Sequence, residues 1–408
     1  MRNTLWRAMR SKPHFLVFVL AGFLSQIGSG LTAIAVFGFL AQSRASSHAF
    51  AFAIVLTVLP SLFAARLSEK FISKFSLSTN LIAAQVFGAL SLILPWWAIE
   101  NQNIYVVQFA EFGSFLSLGF SMPLMHLYTN RCFYSDEMHH ATRIDSIAFS
   151  ANVVLGMGVG ALLFNNIGSK IYLFLDFLSY LSAAILICIC ARMKPELMLS
   201  EKQKSEDKSA SNSTLQWLRK IRSSQKKAFF VYLTLVLGTV PASSLLAFMG
   251  TRLSDWNIGA GMVVTATISL LFARALGQCI APMLLKGEWL PKLSRFKHTE
   301  LICLLSYNAC YLAAYVSQNP LLMMSFIVLA HIASNVLYSK AVYVMQTEFS
   351  GGEVAFAFSR QMQISLLMQI PLPFIASYAI NLFSPLVVLS GSLAFALAFF
   401  FISRRVLL

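Results

Sequence analysis

Charge is scarce in this chain of 408 residues, of which only 12% are Asp, Glu, Lys or Arg and just 16 are acidic. A domain that faces water on all sides needs more ionised surface than this composition supplies. The sequence also lacks a Gly-rich phosphate loop, a Gly-x-Ser-x-Gly elbow and a His/Glu cluster at metal-binding spacing, since His139 and His140 stand alone in a loop. These absences exclude a soluble globule and ATP-driven transport within this chain. We expect no enzyme activity, no cofactor and no metal.

Cysteine is also rare, with six residues in the chain. Cys188 and Cys190 stand two apart in an apolar stretch, so on a helix they point about 200° away from each other. That spacing does not build a shared metal site. Cys132 is expected in a cytoplasmic loop, where thiols stay reduced. The sequence therefore predicts that the cysteines act as small buried hydrophobic residues.

Hydrophobic residues take the place of charge: they make up 57% of the chain, and Phe alone occurs 35 times. Successive apolar runs are each long enough to cross a hydrocarbon layer of roughly 30 Å at about 1.5 Å per helical residue, and they are too long for strands. The first run is too long for a signal-peptide core and is expected to stay in the mature protein. We predict an all-α membrane protein with twelve spanning helices at residues 14–41, 48–66, 77–99, 103–128, 146–167, 170–191, 228–250, 259–284, 300–317, 320–346, 361–383 and 385–403.

The basic residues are distributed unevenly between the predicted loops. With the N-terminus inside, most of the 31 Lys and Arg residues fall on the cytoplasmic side, whereas Arg44, Lys170 and Arg252 fall on the other. This positive-inside pattern predicts a multi-pass protein of the bacterial inner membrane with both termini in the cytoplasm. The net charge of +15 is spread over short loops and no basic domain is present, so a nucleic-acid partner is excluded.

One long polar segment interrupts the apolar pattern. Residues 192–227 are rich in Lys, Arg and Ser and cannot bury enough apolar surface to fold alone. We predict that they form a cytoplasmic basic linker, in which residues 215–222 form a short amphipathic helix on anionic lipid. The linker separates an N-terminal half, 1–191, from a C-terminal half, 228–408, each with six helices.

The two halves share a weak sequence repeat. Tyr128-Thr129, a polar loop and Ala141-Thr142-Arg143-Ile144 follow the fourth span; Gln346-Thr347, a polar loop and Phe358-Ser359-Arg360-Gln361 follow the tenth. Each half then ends with two more spans and a basic stretch. A repeat of this kind is typical of transporters duplicated in parallel, which bind their substrate at mid-membrane.

Three stretches resemble a known family: residues 172–184 with Asp176 and Ser179, residues 20–29, and residues 59–61. They are similar to the sixth, first and second helices of the major facilitator superfamily, in the branch that contains the enterobactin exporter and macrolide efflux proteins. The resemblance covers nearly the whole chain. It implies a monomeric secondary transporter in the lipid bilayer, which moves a small-molecule substrate by alternating access and uses a proton or other ion gradient.

The loop after the second span is similar to the gating-loop motif of this superfamily. Ala65, Leu67, Glu69, Lys70 and Lys74 keep its charge signs but lose its glycines. The resemblance implies that Glu69, Lys70 and Lys74 form a clamp on the cytoplasmic face, which breaks during the conformational cycle. A solvated charged turn is the alternative.

The fifth span carries Gly156 and Gly160 one turn apart, a spacing that lets two helices approach closely. In facilitator exporters the related motif has Pro and a further Gly where this chain has Met157 and Ala161. By itself, the glycine spacing indicates close helix packing. Export is what the resemblance implies.

Ionisable side chains inside the spans are the first functional candidates, because they are costly in lipid. Glu111 lies in the fourth span with Gln108 and Ser114 on the same side. Burial disfavours its charged form, so we predict that Glu111 carries the coupling proton; a carboxyl held by hydrogen bonds or a salt bridge is the alternative. Asp176 lies in the sixth span, an outer helix by the resemblance, and is predicted to be structural.

The predicted substrate cavity is lined by polar and positive side chains: Gln26, Ser29, Gln108, Arg274, Gln278, His331, Asn335, Tyr338, Lys340 and Arg360. Arg274 and Gln278 share one face of the eighth span, and His331 shares a face of the tenth with Asn335 and Tyr338. A guanidinium at this depth needs an anion, either Glu111 or a substrate carboxylate. For His331 the alternative is a hydrogen-bonded packing residue. Because Glu111 is the one acid that we assign to the cavity, an anionic substrate is favoured over a cation.

Three functions from different classes fit these features. The first is proton-coupled export of a small organic molecule, either a siderophore-like metabolite or a drug. The second is uptake of such a solute, or flipping of a lysophospholipid, on the same fold. The third is a receptor without transport activity, which the polar faces of the cavity argue against.

Overall fold

The computed structural model describes residues 11–43, 47–107, 109–134, 136–160, 163, 167–200, 214–246, 249, 263–285, 289–296 and 298–407. Within these residues the chain is almost entirely helical, and no β-strand occurs among them. The basic N-terminus, the Ser-rich part of the linker and Gln108 lie outside the described residues.

The helices up to the linker are α1 (Pro13–Gln42), α2 (Ser47–Phe71), α3 (Leu77–Ser91), α4 (Ile93–Glu100), α5 (Ile104–Val107), α6 (Ala110–Cys132), α7 (Met138–Ala151) and α8 (Ser169–Met193). A π-helix, Asn152–Val159, continues α7. A short 3₁₀ turn, Pro195–Met198, follows α8.

The helices from the linker onward are α9 (Thr214–Lys220), α10 (Ser223–Ser243), α11 (Val263–Leu284), α12 (Trp289–Arg295), α13 (Thr299–Val316), α14 (Pro320–Glu348), α15 (Gly352–Gln369), α16 (Pro371–Leu382) and α17 (Pro385–Leu407). Helix α9 falls where the sequence predicts a short amphipathic helix in the linker.

Each of the twelve predicted spans corresponds to one helix or to consecutive helices. Seven helices of the described part are long and apolar enough to cross a membrane, and α11 with α12, bent by 99°, makes an eighth candidate. The predicted third, fourth and eleventh spans each fall on two consecutive helices. The eleventh breaks at Ile370, before Pro371 in the first position of α16, because proline has no N–H to continue the hydrogen-bond ladder.

Two loop predictions are wrong. His139 and His140 lie in the first turn of α7 rather than in a loop, with ring centroids 4.0 Å apart. Cys132 is the last residue of α6 and is buried, not a loop residue. In both places the helix extends beyond the apolar run on which the prediction rests.

The described chain divides into two compact units. Unit 1 comprises residues 1–141, 151–221 and 349–366, and unit 2 comprises residues 142–150, 222–348 and 367–408. An apolar cluster in unit 1 joins α1, α3 and α8 around Tyr172 and Tyr180. A cluster in unit 2 joins α10, α11, α13 and α14 around Tyr307 and Tyr311. Each unit therefore has its own core.

Two glycines mark places where helices approach too closely for a side chain. In unit 1, Gly119 of α6 faces the backbone of Ser61 in α2, and the Ser61 hydroxyl donates to the Phe115 carbonyl at 2.8 Å. In unit 2, Gly277 of α11 faces the Val328 carbonyl and the Cβ of His331 in α14. The second crossing brings α11 and α14 together at the level of the predicted cavity residues.

Candidate functional site

The crossing at Gly277 places Arg274 and Gln278 of α11 beside His331 and Asn335 of α14, all within unit 2. The Asn335 amide donates to the backbone carbonyl of Gln278, which fixes the two helices in register. The side chains of Gln278, His331 and Asn335 are buried. The sequence groups these residues only in pairs along each helix; the structure brings the two pairs together.

His331 is held in place by two tyrosines of α13. The Tyr311 hydroxyl lies 2.9 Å from His331 Nε2. The Tyr307 ring stands edge-on to the imidazole, with centroids 5.5 Å apart, and its hydroxyl donates to the Thr239 carbonyl at 3.3 Å. These contacts fix the position of the His331 ring on α14. The imidazole is therefore hydrogen-bonded, in a wall of aromatic rings.

Arg274 is half-buried, and its Nε atom is buried without a hydrogen-bond partner. No described residue forms an ion pair with it, although the guanidinium is close enough to His331, Tyr307 and Tyr311 to interact with them electrostatically. Oε1 of Gln278 is likewise buried without a partner. An uncompensated guanidinium in a poorly hydrated site is costly, so this arrangement is suited to an incoming anion.

Lys340 and Tyr338 of α14 have other partners in unit 2. The Lys340 ammonium, 2% exposed, forms an ion pair with Glu300 at 2.8 Å. It also donates to the Phe296 carbonyl at 3.3 Å. Tyr338 packs edge-on against Tyr232, with centroids 5.9 Å apart. The charge of Lys340 is thus already neutralised by an acid of α13, which the sequence argument does not consider.

Glu111 lies in the first turn of α6 in unit 1 and is 1% exposed. Among the described residues, neither of its carboxylate oxygens has a hydrogen-bond partner. Gln26 and Ser29 of α1 are half-buried in the same unit. Ser29 donates to the Ser25 carbonyl at 3.0 Å and lies 3.2 Å from the Tyr180 hydroxyl. A carboxyl group without donors in this setting has little to stabilise its charged form.

Asp176 of α8 has partners that Glu111 lacks. Its Oδ2 accepts a hydrogen bond from Thr32 of α1 at 2.6 Å, and its Oδ1 accepts one from Ser179 at 3.0 Å. These bonds connect α8 to α1. Gly160, next to the π-helix, packs against Leu31 of the same helix α1, where a Cβ would lie 3.0 Å from the Leu31 methyl.

A second polar group in unit 1 consists of Glu69 of α2 with Ser359, Arg360 and Gln363 of α15, and we call it the Glu69 cluster. Arg360 Nε lies 3.3 Å from Glu69 Oε1, and its Nη2 donates to Oε2 at 3.3 Å. Ser359 and Gln363 donate to Oε1 at 2.8 Å and 3.0 Å. Glu69 and Arg360 are each buried. The carboxylate therefore has a bidentate cationic partner and two further donors.

The Glu69 cluster differs from the sequence expectation in its membership. The prediction places Arg360 in the cavity, whereas the structure pairs it with Glu69; Lys70 and Lys74 are exposed. Ser359 also donates to the Ala65 carbonyl at 2.6 Å, so the bonds join α15 to the last turns of α2. The sequence carries no signal that joins Arg360 to Glu69, because the two residues lie 291 positions apart.

The repeated segment in unit 2 makes analogous but weaker contacts. Arg143 Nε of α7 donates to the Pro282 carbonyl of α11 at 3.1 Å. The Ser146 and Ser339 hydroxyls lie 3.1 Å apart. Arg143 therefore donates to a neutral carbonyl, whereas Arg360 forms an ion pair with a carboxylate.

No protein-family model and no curated protein matches the chain. Solved structures match along nearly its whole length. The human organic anion transporter MFSD10 has a TM-score of 0.73 at 13% identity, covering 96% of this chain and 99% of that one. A bacterial homologue of the iron transporter ferroportin, in an outward-facing state, has a TM-score of 0.67 at 13% identity, covering 96% and 98%.

The major facilitator transporter FucP, in its outward conformation, has a TM-score of 0.62 at 15% identity, covering 97% of this chain and 98% of that one. These similarities show that the chain has the fold of the major facilitator transporters. The predicted fold class is therefore confirmed: an all-α, multi-pass membrane protein with the fold of the major facilitator transporters, for which twelve spanning helices are expected. The division into halves, the site residues and the orientation in the membrane stay predictions.

Proposed function

We propose that this protein is a secondary transporter of the bacterial inner membrane, which exports a small organic anion by alternating access in exchange for protons. The fold, shared with transporters over nearly the whole chain, supports the general activity. The observation that carries the choice of substrate is Arg274, a guanidinium inside a helical unit without an anionic partner among the described residues.

The surroundings of Arg274 favour a carboxylate. A guanidinium presents a planar fork that matches two carboxylate oxygens, and it is less costly to dehydrate than an ammonium. Gln278 Oε1 is free to accept a hydrogen bond from a substrate hydroxyl or amide. The similarity to a human organic anion transporter supports the same class of substrate.

Glu111 is the proposed coupling group. Its buried carboxyl has no donor among the described residues that would stabilise an anion, so it binds a proton while enclosed and releases it when the cycle exposes it to water. Export is the proposed direction because Gly156 and Gly160 resemble the helix-five motif of facilitator exporters. We further propose that these features place the protein near the branch with the enterobactin exporter, with a carboxylate siderophore-like metabolite among the candidate substrates.

The Glu69 cluster is proposed to be the cytoplasmic gate. Alternating access requires contacts that form in one state and break in the other. An ion pair on α2 and α15, supported by Ser359 and Gln363, meets this requirement, because it holds two helices together only while both charges are enclosed. Lys70 and Lys74 contribute positive charge at its exposed edge.

Proton-coupled uptake is the second candidate, favoured by the similarity to FucP, an Escherichia coli fucose:proton symporter that matches with a TM-score of 0.61. The two directions differ in the vesicle orientation that accumulates substrate. Export predicts accumulation in inside-out membrane vesicles when their lumen is acidified, and uptake predicts accumulation in right-side-out vesicles.

The test uses such vesicles with radiolabelled carboxylates, neutral solutes and cationic dyes of similar size. We expect accumulation of carboxylates, loss of that accumulation in Arg274→Ala, and weaker accumulation in Arg274→Lys, which keeps the charge but not the fork. Arg295→Ala removes the same charge from an exposed position of unit 2 and serves as the matched control. Accumulation of cationic dyes that is unchanged by Arg274→Ala would overturn the anion assignment.

A further inference from the structure

The polar linker that follows α8 is attached to unit 1 at its beginning. Arg131, in the last turn of α6, donates from one guanidinium nitrogen to the backbone carbonyls of Leu197 and Leu199, each at 2.8 Å. Between these two residues Met198 is buried. Hydrogen bonds from a charged donor are stronger than those between neutral groups, so this contact fixes the chain locally. The first residues of the linker therefore belong to the folded unit.

The linker is attached to the same unit again at its end, through helix α9. The Trp217 ring stacks on the Phe349 ring, with centroids 6.0 Å apart and planes inclined by 18°. At the first residue of α9, the Thr214 hydroxyl accepts a hydrogen bond from Arg360 Nη1 at 3.4 Å. Side chains three residues apart are neighbours on a helix surface, so α9 uses one face for both contacts.

The two attachment points are equivalent positions of the sequence repeat. Tyr128-Thr129 corresponds to Gln346-Thr347, and in each case the attachment residue follows the threonine by two positions, as Arg131 and as Phe349. Arg131 lies in the last turn of α6, and Phe349 follows directly after α14. The same position of each repeat therefore binds one end of the linker.

The second attachment shares a side chain with the Glu69 cluster. The Arg360 guanidinium uses Nε and Nη2 for Glu69 and Nη1 for Thr214. Both members of the ion pair are buried with α9 in this position. An enclosed ion pair is favourable only when its remaining donors are also hydrogen-bonded. Thr214 supplies an acceptor for the nitrogen that Glu69 does not bind.

We propose that the linker is a strap on the Glu69 cluster: helix α9, stacked on Phe349 and bonded to Arg360 through Thr214, stabilises the closed state of the gate. The proposal rests on the proposed role of the Glu69 cluster as that gate. Thr214 and Trp217 are positioning residues, because they act through Arg360. Opening then requires Arg360 to leave Thr214 as well as Glu69, so the linker disfavours the open state.

The experiment measures the rate at which a water-soluble maleimide labels one buried cysteine in the purified full-length protein. Ala355→Cys, in a background without the six native cysteines, places a thiol one turn before Ser359 on the same face of α15. Ala355 is 4% exposed. A buried thiol reacts when the structure around it opens, so the labelling rate is proportional to the open fraction when closing is faster than labelling.

Variants of α9 should speed this labelling. Trp217→Ala removes the stacked ring and should raise the rate on the order of tenfold. Thr214→Val removes the acceptor of a long hydrogen bond and should raise the rate about threefold; it also covers the case in which Trp217→Ala does not fold. Trp217→Phe keeps an aromatic ring and should stay close to wild type. Lys220→Ala changes an exposed residue of α9 and is the matched control.

A double variant tests whether α9 acts through Arg360. Arg360→Ala alone should raise the rate more than either α9 variant, and adding Trp217→Ala should then change it little, because the two residues act as one unit. Native Cys190, 0% exposed in α8 and kept as a single cysteine, reports general loosening of unit 1. Its labelling rate should be the same in every variant. A rise at Cys190 equal to that at position 355 would overturn the proposal.

Two outcomes separate this proposal from the one on which it rests. Faster labelling in Arg360→Ala, together with wild-type rates in Trp217→Ala and Thr214→Val, would refute the strap and leave the gate in place. A wild-type rate in Arg360→Ala would refute the gate, and the strap with it.

Discussion

Replacing Arg360 with Ala should open the Glu69 cluster, because it leaves the enclosed Glu69 carboxylate without its cationic partner. Glu69 and Arg360 side chains are each 6% exposed, so water screens the pair little. Breaking a buried pair by removing one partner costs about 3–5 kcal/mol. Ser359 and Gln363 still donate to Glu69 in the variant, so we take the lower value. About 3 kcal/mol corresponds to a shift of roughly 100-fold in the equilibrium between the closed and open gate.

The double variant Glu69→Gln with Arg360→Met separates this effect from general damage. Replacing both charges of a buried pair by groups of similar volume is often nearly neutral, so the double variant should lie closer to wild type than Arg360→Ala does. The two single changes should therefore be strongly non-additive, as expected for residues in direct contact.

The assay is a distance measurement between spin labels on Lys74 and Ser350, two exposed positions near the ends of α2 and α15, in a background without native cysteines. We expect one short distance in wild type, a dominant longer distance in Arg360→Ala, and recovery of the short distance in the double variant. Distance distributions that are identical in wild type and in Arg360→Ala would refute the gate assignment.

Three further predictions concern other parts of the chain. Glu111→Gln should abolish transport against a gradient while substrate exchange persists in counterflow; accumulation by this variant would exclude Glu111 as the coupling group. A reporter fused after Gln203 should be cytoplasmic and one at Asn319 periplasmic; the opposite result would reverse the predicted orientation. Lys340→Met should destabilise the protein by about 3 kcal/mol, since it removes the buried ammonium that pairs with Glu300, and adding Glu300→Gln should restore most of that loss in thermal unfolding; equal melting temperatures for wild type and Lys340→Met would exclude a stabilising pair.

The sequence predicts the helices well because hydrophobic length depends on local composition alone. Each predicted span finds its helix, and residues that share a helix face, such as Arg274 with Gln278, follow from the 3.6-residue period. The breaks inside the third and eleventh spans are harder to predict from the sequence. The break in the eleventh span depends on whether a proline falls at a helix start or inside a helix: Pro371 begins α16, whereas Pro60 is accommodated within α2.

The sequence does not identify which residues on different helices form ion pairs with each other. Glu69 and Arg360 are 291 residues apart, and Lys340 and Glu300 belong to separate helices. Periodicity states which face a residue occupies but not which helix that face meets. For that reason the sequence argument adds Arg360 and Lys340 to the positive charge of the cavity, whereas both are already neutralised in the structure.

The neutralisation of those two charges sharpens the argument for Arg274 rather than weakening it. With Lys340 on Glu300 and Arg360 on Glu69, Arg274 is the predicted cavity cation that has no ion pair with a described residue. A site with one uncompensated guanidinium is suited to a single carboxylate, because no acid among the described residues of unit 2 forms an ion pair with Arg274. It also gains nothing from a cation, which would add a second unpaired charge. The proposed preference for an anion therefore depends on one residue, and Arg274 is the position where a change of substrate charge should be sought.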